Sequence, residues 1–375
     1  HEDNGLMALV NVIPAVSSYA VVVPDGTGTA TTVRIHDGNG DRLLATVTPF
    51  AGHRGEVSVA MGDLDGDGVL DLVVGAGKGH APEVVAYSGK ARDGKAAFAI
   101  ELARFQAFAP DARGGVSVAA AQIDGTTSDN IVVGSGPGQP GEVKVFGTGL
   151  PRTGTAPPLF ASFAPHAGDS SGVSLATGFV DFSTGRNSIV TAPGPGSVAE
   201  VKVFVFPLLK PMGGASPSGP LQPQTSATLK PFGDDYRSGV SLATGWLAGT
   251  LGGAKRIVVG QLGEAGTVKV YSSGSALDGG PSMYLHNPQH HAHAADFREI
   301  ASFTPFDGKA GTRVATTSTT EGAHLLVSGA SAQGNAGIAK YDFQRTDDSA
   351  TTLRAVRLGD VTAVAGSQPA TLGGD

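Results

Sequence analysis

The chain has 375 residues, 56 of them glycine, with 40% hydrophobic, 6% aromatic and 16% charged residues and a formal net charge of -7. This is enough apolar sequence for a substantial core, too much glycine for long helices, and too little positive charge to neutralise phosphates, so nucleic acid is excluded as an expected partner. There is no cysteine, which removes disulfides, thiolate metal sites and cysteine nucleophiles.

In chain order, the first segment is Leu6 to Val23, apolar enough to be mistaken for a membrane span. Pro14 and Ser17-Ser18 divide it, acidic residues precede it, and its halves resemble later strands, so no span is expected. The chain is expected to start after a removed signal or to be cut from a longer protein. Val21-Val22-Val23-Pro24 then opens a series continued by Leu72-Val73-Val74-Gly75, Ile131-Val132-Val133-Gly134, Ile189-Val190-Thr191-Ala192, Ile257-Val258-Val259-Gly260 and Leu325-Leu326-Val327-Ser328-Gly329. Taking Pro24, Gly75, Gly134, Thr191, Gly260 and Gly329 as equivalent, the spacings are 51, 59, 57, 69 and 69 residues, a blade-like period.

Each unit reads as four short strands between turn signals. The second unit shows them best: Val57-Ser58-Val59-Ala60-Met61, then Leu72-Val73-Val74, Glu83-Val84-Val85-Ala86-Tyr87 and Leu102-Ala103-Arg104-Phe105. Equivalent first strands begin at Val116, Val173, Val240 and Arg313, and equivalent third strands are Val143-Lys144-Val145-Phe146, Val201-Lys202-Val203-Phe204 and Val268-Lys269-Val270-Tyr271. Helical periodicity is nowhere sustained. Small residues on the first strand and after the second suit crowding at a ring axis, whereas Phe105, Phe108, Phe160, Phe163, Phe303 and Phe306 recur with the unit and are expected between blades. A stacking platform for sugars or bases is the competing use, but Trp246 is the single tryptophan.

The chemistry concentrates between the first two strands of the second unit. Asp63, Asp65, Asp67 and Asp71 place carboxylates at positions one, three, five and nine, Gly66 and Gly68 loosen the backbone, and the Val69 carbonyl is a candidate fifth ligand. Hard oxygen donors at this density suit calcium rather than zinc. An EF-hand is ruled out because position twelve is Val74 instead of a bidentate glutamate and the flanks read as strands. A solvated Asp/Gly turn without an ion is the plain alternative. The corresponding loops have decayed: Gln122, Asp124, Thr126 and Asn130 in the third unit, and Asp181, Ser183 and Asn187 in the fourth. One calcium is therefore expected, with Asp124 as a weak second candidate. His286, His290, His291 and His293, in a long insertion of the fifth unit, form a weaker second metal candidate, because surface loops also collect histidines without a metal. Two other insertions, Gly147 to Pro158 and Pro207 to Thr228, read as exposed loops.

Phe near the unit start, Gly-Val-Ser-Val-Ala, the loop from Gly62 to Asp71, Val-Val-Gly-Ala-Gly and Val-Lys-Val-Phe together resemble the FG-GAP repeat of the integrin-alpha N-terminal propeller and its bacterial relatives. The resemblance covers roughly Leu6 to Leu358 and is strongest in the units beginning at Val57 and Val116. It implies an all-β propeller of four-stranded blades, a module of extracellular proteins used for recognition or scaffolding and in some cases part of a carbohydrate-active enzyme. Two departures stand out: six units against the seven of integrins, and one intact acidic loop. Six second strands indicate six blades, over residues 1–358, with 359–375 as a tail, closing strand or linker. Val361-Thr362-Ala363-Val364-Ala365 is the candidate closing segment, and seven blades remain the alternative.

No His-Glu-x-x-His helix or phosphate-cradling loop is present. The expected function is a non-catalytic, calcium-stabilised, secreted or cell-surface module that binds a protein or glycan partner, as in adhesion, within a larger assembly or alone. The alternative is a polysaccharide lyase or hydrolase working from the ring face. On the face opposite the acidic loop, turns carrying His53, Arg54, Asp111, Arg113, His166, Asp169, Asp234, Asp235, Tyr236, Arg237 and Lys309 come together, and Arg54, Arg113, His166 and Arg237 are the candidate partner-binding residues.

Overall fold

A computed structural model of the chain describes residues 18–23, 30–37, 42–147, 150, 152–153, 155–181, 184–207, 221–247, 254–263, 266–273, 296–306, 311–319, 322–330, 336–346, 352–361 and 372–373. The first three strands are β1 (Ser18–Val23), β2 (Thr32–Asp37) and β3 (Leu43–Val47). A second set is β4 (Val57–Gly62), β5 (Asp71–Ala76), β6 (Glu83–Tyr87) and β7 (Glu101–Gln106). The third is β8 (Val116–Ala121), β9 (Asn130–Ser135), β10 (Val143–Phe146) and β12 (Leu159–Phe163), interrupted by the short β11 (Arg152–Thr153). The fourth is β13 (Val173–Gly178), β14 (Ser188–Pro193), β15 (Val201–Val205) and β16 (Gln224–Leu229); the fifth is β17 (Val240–Gly245), β18 (Arg256–Gln261), β19 (Val268–Ser273) and β20 (Phe297–Phe303). The last is β21 (Arg313–Thr319), β22 (Gly322–Ala330), β23 (Ala336–Arg345) and β24 (Leu353–Val361), followed among the described residues by β25 (Leu372–Gly373).

Among the described residues, five sets form four-stranded antiparallel blades in chain order, and β1, β2 and β3 form a further sheet whose inner position is taken by β25. The inner strands form a closed circuit: β4 lies against β8, β8 against β13, β13 against β17, β17 against β21, β21 against β25 and β25 against β4. This is a β-propeller of antiparallel blades. In β5, β9, β14 and β18 every residue is buried, because both faces of a second strand meet neighbouring blades. In every sheet the register shifts where the third strand meets the fourth, for example between Val145 and Phe146 and between Val270 and Tyr271, and such bulges deepen the twist a ring requires.

The inner strands explain the Val-Ser-x-Ala pattern. One edge of each pairs with its second strand, and the other faces the axis, where side-chain hydroxyls take the place of a further strand. Ser117 Oγ donates to the Val173 carbonyl at 2.5 Å, Ser174 Oγ to Val240 at 3.0 Å and Ser241 Oγ to Thr312 at 2.9 Å, while Ser58 Oγ accepts from the Val118 amide at 3.0 Å. Threonines at the far end reach the other way: Thr177 Oγ1 donates to Ala120 at 2.7 Å, Thr244 Oγ1 to Thr177 at 2.5 Å and Thr316 Oγ1 to Thr244 at 2.6 Å. The glycine after a second strand has a steric cause, since a Cβ at Gly77 would lie 1.7 Å from the Glu56 carbonyl oxygen.

On the outer strands the repeated lysine clasps the preceding blade. Lys144 Nζ donates to the Ala107 carbonyl at 3.1 Å and sits 4.8 Å from the Phe108 ring centroid; Lys202 Nζ donates to Pro165 at 3.3 Å. The predicted inter-blade aromatics lie where expected: Phe105, Phe108 and Phe163 are buried, and Phe160, Phe303 and Phe306 pack against the clusters from their edges.

Closure differs in detail from the expectation drawn from the tail. Val361 ends β24, residues 362–371 lie outside the described residues, and the segment that pairs with β1 is β25, through Ala20 with Gly373 and Val21 with Leu372. Because β1 occupies the second position of its sheet, its inner partner must come from elsewhere, and the C-terminus supplies it. Arg313 and Glu56, 3.0 Å apart and 257 residues apart in sequence, tie the last inner strand to the approach to β4.

Replacing Ser117 or Ser241 with Ala leaves a carbonyl without its partner, and each variant is expected to lose about 1 kcal/mol of stability. Denaturant midpoints that match the native chain would show that these ties carry no net stability. Ending the chain at Val361 removes β25 while sparing β24, and the melting temperature is expected to fall; an unchanged melting curve would place closure elsewhere.

Candidate metal centre

The acidic loop leaves β4 at Gly62 and returns at Asp71, which lies opposite Gly62 in the β4–β5 register. Leu64, fully buried among Leu102, Phe105 and Ile131, pins the loop to the inter-blade core. Gly66 and Gly68 have φ of 77° and 81°, a left-handed backbone that glycine adopts without strain. The turn wraps around Asp63: its Oδ1 accepts from the Gly66 and Asp67 amides at 2.9 and 3.0 Å, and its Oδ2 from the Gly68 amide at 3.0 Å. Asp71, with no exposed surface, accepts from the Leu64 amide at 2.9 Å and from the Gly89 amide at 2.8 Å.

Asp63, Asp65 and Asp71 each bring a carboxylate oxygen to within 4.8 Å of the others. The Asp65 side chain is 5% exposed, and its Oδ1, like Asp67 Oδ2, is buried without a hydrogen bond. Burial first, and the charges of Asp65 and Asp67 beside it, push Asp71 up to about 7 against the opposing pull of the Gly89 and Leu64 amides; burial likewise raises Asp63. Two buried carboxylate oxygens without hydrogen bonds, beside the Asp63 and Asp71 carboxyls that burial makes harder to ionise, fit a divalent cation, and Asp63, Asp65 and Asp71 can hold a metal such as calcium. Asp67 flanks the cluster, and the Val69 amide donates to Asp67 Oδ1 at 3.1 Å while its side chain is exposed.

Three partners of this loop were not legible in the sequence. The turn after β6 brings Arg92 onto Asp65 Oδ2 and Lys90 Nζ to 3.5 Å from Asp67 Oδ2. From the next blade, Asp129 Oδ2 accepts from the Asp63 amide at 2.9 Å, and the Asp129 amide donates to the Asp63 carbonyl at 2.7 Å.

In the corresponding loop of the next blade, side-chain donors meet the remaining carboxylate. Asn130 stands where Asp71 does: its Oδ1 accepts from Ile123 at 2.8 Å and Asp124 at 3.0 Å, and its Nδ2 donates to Asp124 Oδ2 at 2.9 Å. Thr126 Oγ1 donates to the other Asp124 oxygen at 2.6 Å. Gln122 donates to the Thr126 carbonyl. In the following blade Asp181 is buried and takes the Ser226 hydroxyl, and Asn187 Nδ2 donates to the Gln122 carbonyl at 3.1 Å; Ser183 lies outside the described residues.

The residues predicted for the opposite face are not assembled into one centre. Arg54, Arg113 and Arg237 are exposed on different blades, and the latter two turn back on their own loops, Arg113 Nη1 donating to Pro110 at 2.6 Å and Arg237 Nη1 to Asp235 at 3.0 Å. His166 is buried instead of displayed: its ring meets Thr191 Oγ1 at 3.1 Å, and burial, aided by Lys202, lowers it to about 4, so it is neutral at physiological pH. Asp111 and Arg113 border a hollow of about 630 Å³ with Lys78 and Gln139. The axial channel, about 690 Å³, is walled by inner-strand residues such as Val57, Val116 and Leu175, with Glu56, Lys78 and Arg313 at its mouth. His286, His290, His291, His293 and Lys309 lie outside the described residues.

The FG-GAP-like repeat pattern matches residues 19–74, and the FG-GAP repeat pattern matches residues 57–95, the segment that holds both the acidic loop and the Arg92 turn. Residues 19–95 carry FG-GAP-type repeats. No curated protein matches the chain. Among solved structures, a protein from Lactobacillus plantarum is 11% identical over 92% of this chain and 82% of its own, with a TM-score of 0.50. An exotype rhamnogalacturonan lyase is 11% identical over 92% and 76%, with a TM-score of 0.38, and the periplasmic gluconolactonase of Pseudomonas aeruginosa is 12% identical over 95% and 99%, with a TM-score of 0.45. The first likeness is one of fold alone, and the other two carry no argument about this chain.

A carboxyl whose pKa is raised on folding makes the folded state bind its proton more tightly. Stability contributed by the protonated Asp71 is therefore present at low pH and lost as pH climbs from about 4 towards about 7. Metal-free protein is expected to lose stability across that window, and Asp71→Asn is expected to flatten the slope. A metal-free stability profile that is the same for Asp71→Asn and the native chain would refute the assignment.

Proposed function

We propose that this chain is a non-catalytic, extracytoplasmic propeller, secreted or at a cell surface, that presents its rigid ring face to a protein or glycan and is stabilised by one calcium ion in its second blade. The observation that carries the calcium reading is the pair of buried carboxylate oxygens, Asp65 Oδ1 and Asp67 Oδ2, left without hydrogen bonds beside Asp63 and Asp71. Oxygen-only donors of this kind select calcium over softer metals, and Asp63, Asp65, Asp67 and Asp71 would hold it, with the Val69 carbonyl as a further candidate. A loop of this kind fills where calcium is millimolar, which supports a location outside the cytoplasm.

The binding reading draws on the turns around the hollow of Lys78, Asp111, Arg113 and Gln139, where polar side chains stand on a rigid ring. Arg113 there, and Arg237 on another blade, are held by their own turns and offer their remaining donors to carboxylate, hydroxyl or carbonyl groups of a partner. Arg54 extends the same exposed face. Nothing in this arrangement requires the metal to touch the partner: the ion's part is to neutralise four carboxylates and hold the loop.

EDTA is expected to lower the melting temperature of the native chain and calcium to restore it, whereas Asp65→Ala melts low in calcium and barely responds to EDTA. Equal native melting curves with and without EDTA would remove the calcium reading. Turnover of an acidic or neutral polysaccharide that disappears in Arg113→Ala or Arg237→Ala would replace the binding module with an enzyme.

A further inference from the structure

We propose that the turn Ser88–Lys95 is a cationic latch on the acidic loop: in the metal-free protein Arg92 and Lys90 neutralise Asp65 and Asp67, and a divalent cation binds by displacing them. This rests on the metal reading above and adds how occupancy of that site is controlled. Arg92 Nη2 meets Asp65 Oδ2 and is aimed there by Ser88 Oγ at 2.7 Å, while Asp65 Oδ1 keeps no partner, so the guanidinium satisfies one oxygen and leaves the other open. Lys90 stands 3.5 Å from Asp67 Oδ2.

The root of the turn is built to stay in place while its cations move. Ser88 is fully buried, its amide donates to Ile100 at 2.8 Å and its carbonyl accepts from Phe98 at 2.7 Å. Phe98 is buried with a φ of 61°, a conformation rare for a bulky side chain and held here by the core. Arg92 and Lys95 exchange backbone hydrogen bonds of 3.2 and 2.9 Å across the tip. The side chains of Arg92 and Lys90 are 33% and 49% exposed, so both can swing into water without disturbing that root. The Gly89 amide, 2.8 Å from Asp71 Oδ1, joins the backbone of the turn to the cluster and reports its state.

A divalent ion attracts these carboxylates more strongly than a single guanidinium but repels both resident cations, so the latch sets a threshold on the cation concentration that fills the site. The test is calorimetric titration of the EDTA-stripped full chain with calcium chloride, for the native protein, Arg92→Gln and Lys90→Gln. Arg92→Gln is expected to bind calcium about ten-fold more tightly and to melt lower when stripped, Lys90→Gln to show a smaller gain in the same direction, and hydrogen exchange at residues 89–95 of the native chain to change on calcium addition. Calcium binding by the native chain with an equal or weaker affinity in Arg92→Gln overturns the latch and leaves the metal site standing. No calcium binding by any variant overturns the metal reading and the latch with it. If Arg92→Gln does not fold, Lys90→Gln and Ser88→Ala decide the matter, the latter removing only the hydroxyl that aims Arg92.

Discussion

The structure depends on how the axial edges of the inner strands are satisfied. A ring of blades brings these edges together where no further strand can pair with them, and an unpaired buried carbonyl costs about as much as a lost hydrogen bond. Here side-chain hydroxyls take over: serines reach forward to the next blade and threonines reach back to the previous one, as with Ser174 to Val240 and Thr244 to Thr177. Each tie fixes the spacing of two neighbouring blades. Small residues on the inner strands and glycine after the second strands then follow from the close approach, as the clash at Gly77 illustrates.

Outside the axis, the same neighbour-to-neighbour logic recurs with different groups. The lysine of the third strand reaches the turn behind the preceding blade, and the insertion after the third strand returns to that blade's outer edge. Arg152 and Thr153 add a parallel strand beside β7, and Leu221 bridges Ala161 in the same sense. Covering an outer edge in this way limits its exposure to strand pairing with other chains. Every tie runs between adjacent blades, so stability is assembled locally and closed globally, with the C-terminal strand and the Glu56–Arg313 pair at the seam.

The acidic loop is one electrostatic problem met in two ways. In the second blade, four carboxylates in nine residues leave buried acceptors that a metal or Arg92 must neutralise. In the third, the Asn130 amide and the Thr126 hydroxyl each donate to Asp124, so side-chain donors meet both of its oxygens. Three of the four carboxylate positions carry Gln122, Thr126 and Asn130 in that loop, and exchanging a carboxylate for an amide or a hydroxyl changes an acceptor into a donor. The loop with the candidate metal cluster therefore stands beside one whose carboxylate is met by side-chain donors, and Asp129 joins the two loops directly.

The repeat period, the strand pattern and the acidic loop were legible in the sequence, because strand alternation, glycine placement and carboxylate spacing are local properties of the chain. Val57–Met61, Leu72–Val74 and Glu83–Tyr87 fall within β4, β5 and β6, and Asp63, Asp65 and Asp71 converge as their spacing indicated. The partners that complete these features come from distant positions and had no local signal. Arg92 lies 27 residues beyond Asp65, Asp129 lies 66 beyond Asp63, and β25 closes a sheet begun at Ser18. His166, read as part of an exposed turn, lies buried with its ring on the Thr191 hydroxyl of the second strand, a position filled by glycine in other blades, as at Gly134 and Gly260. Which groups share a loop is written in the order of residues; which loops share a charge, an edge or a cavity is decided only when the ring closes and packs them together.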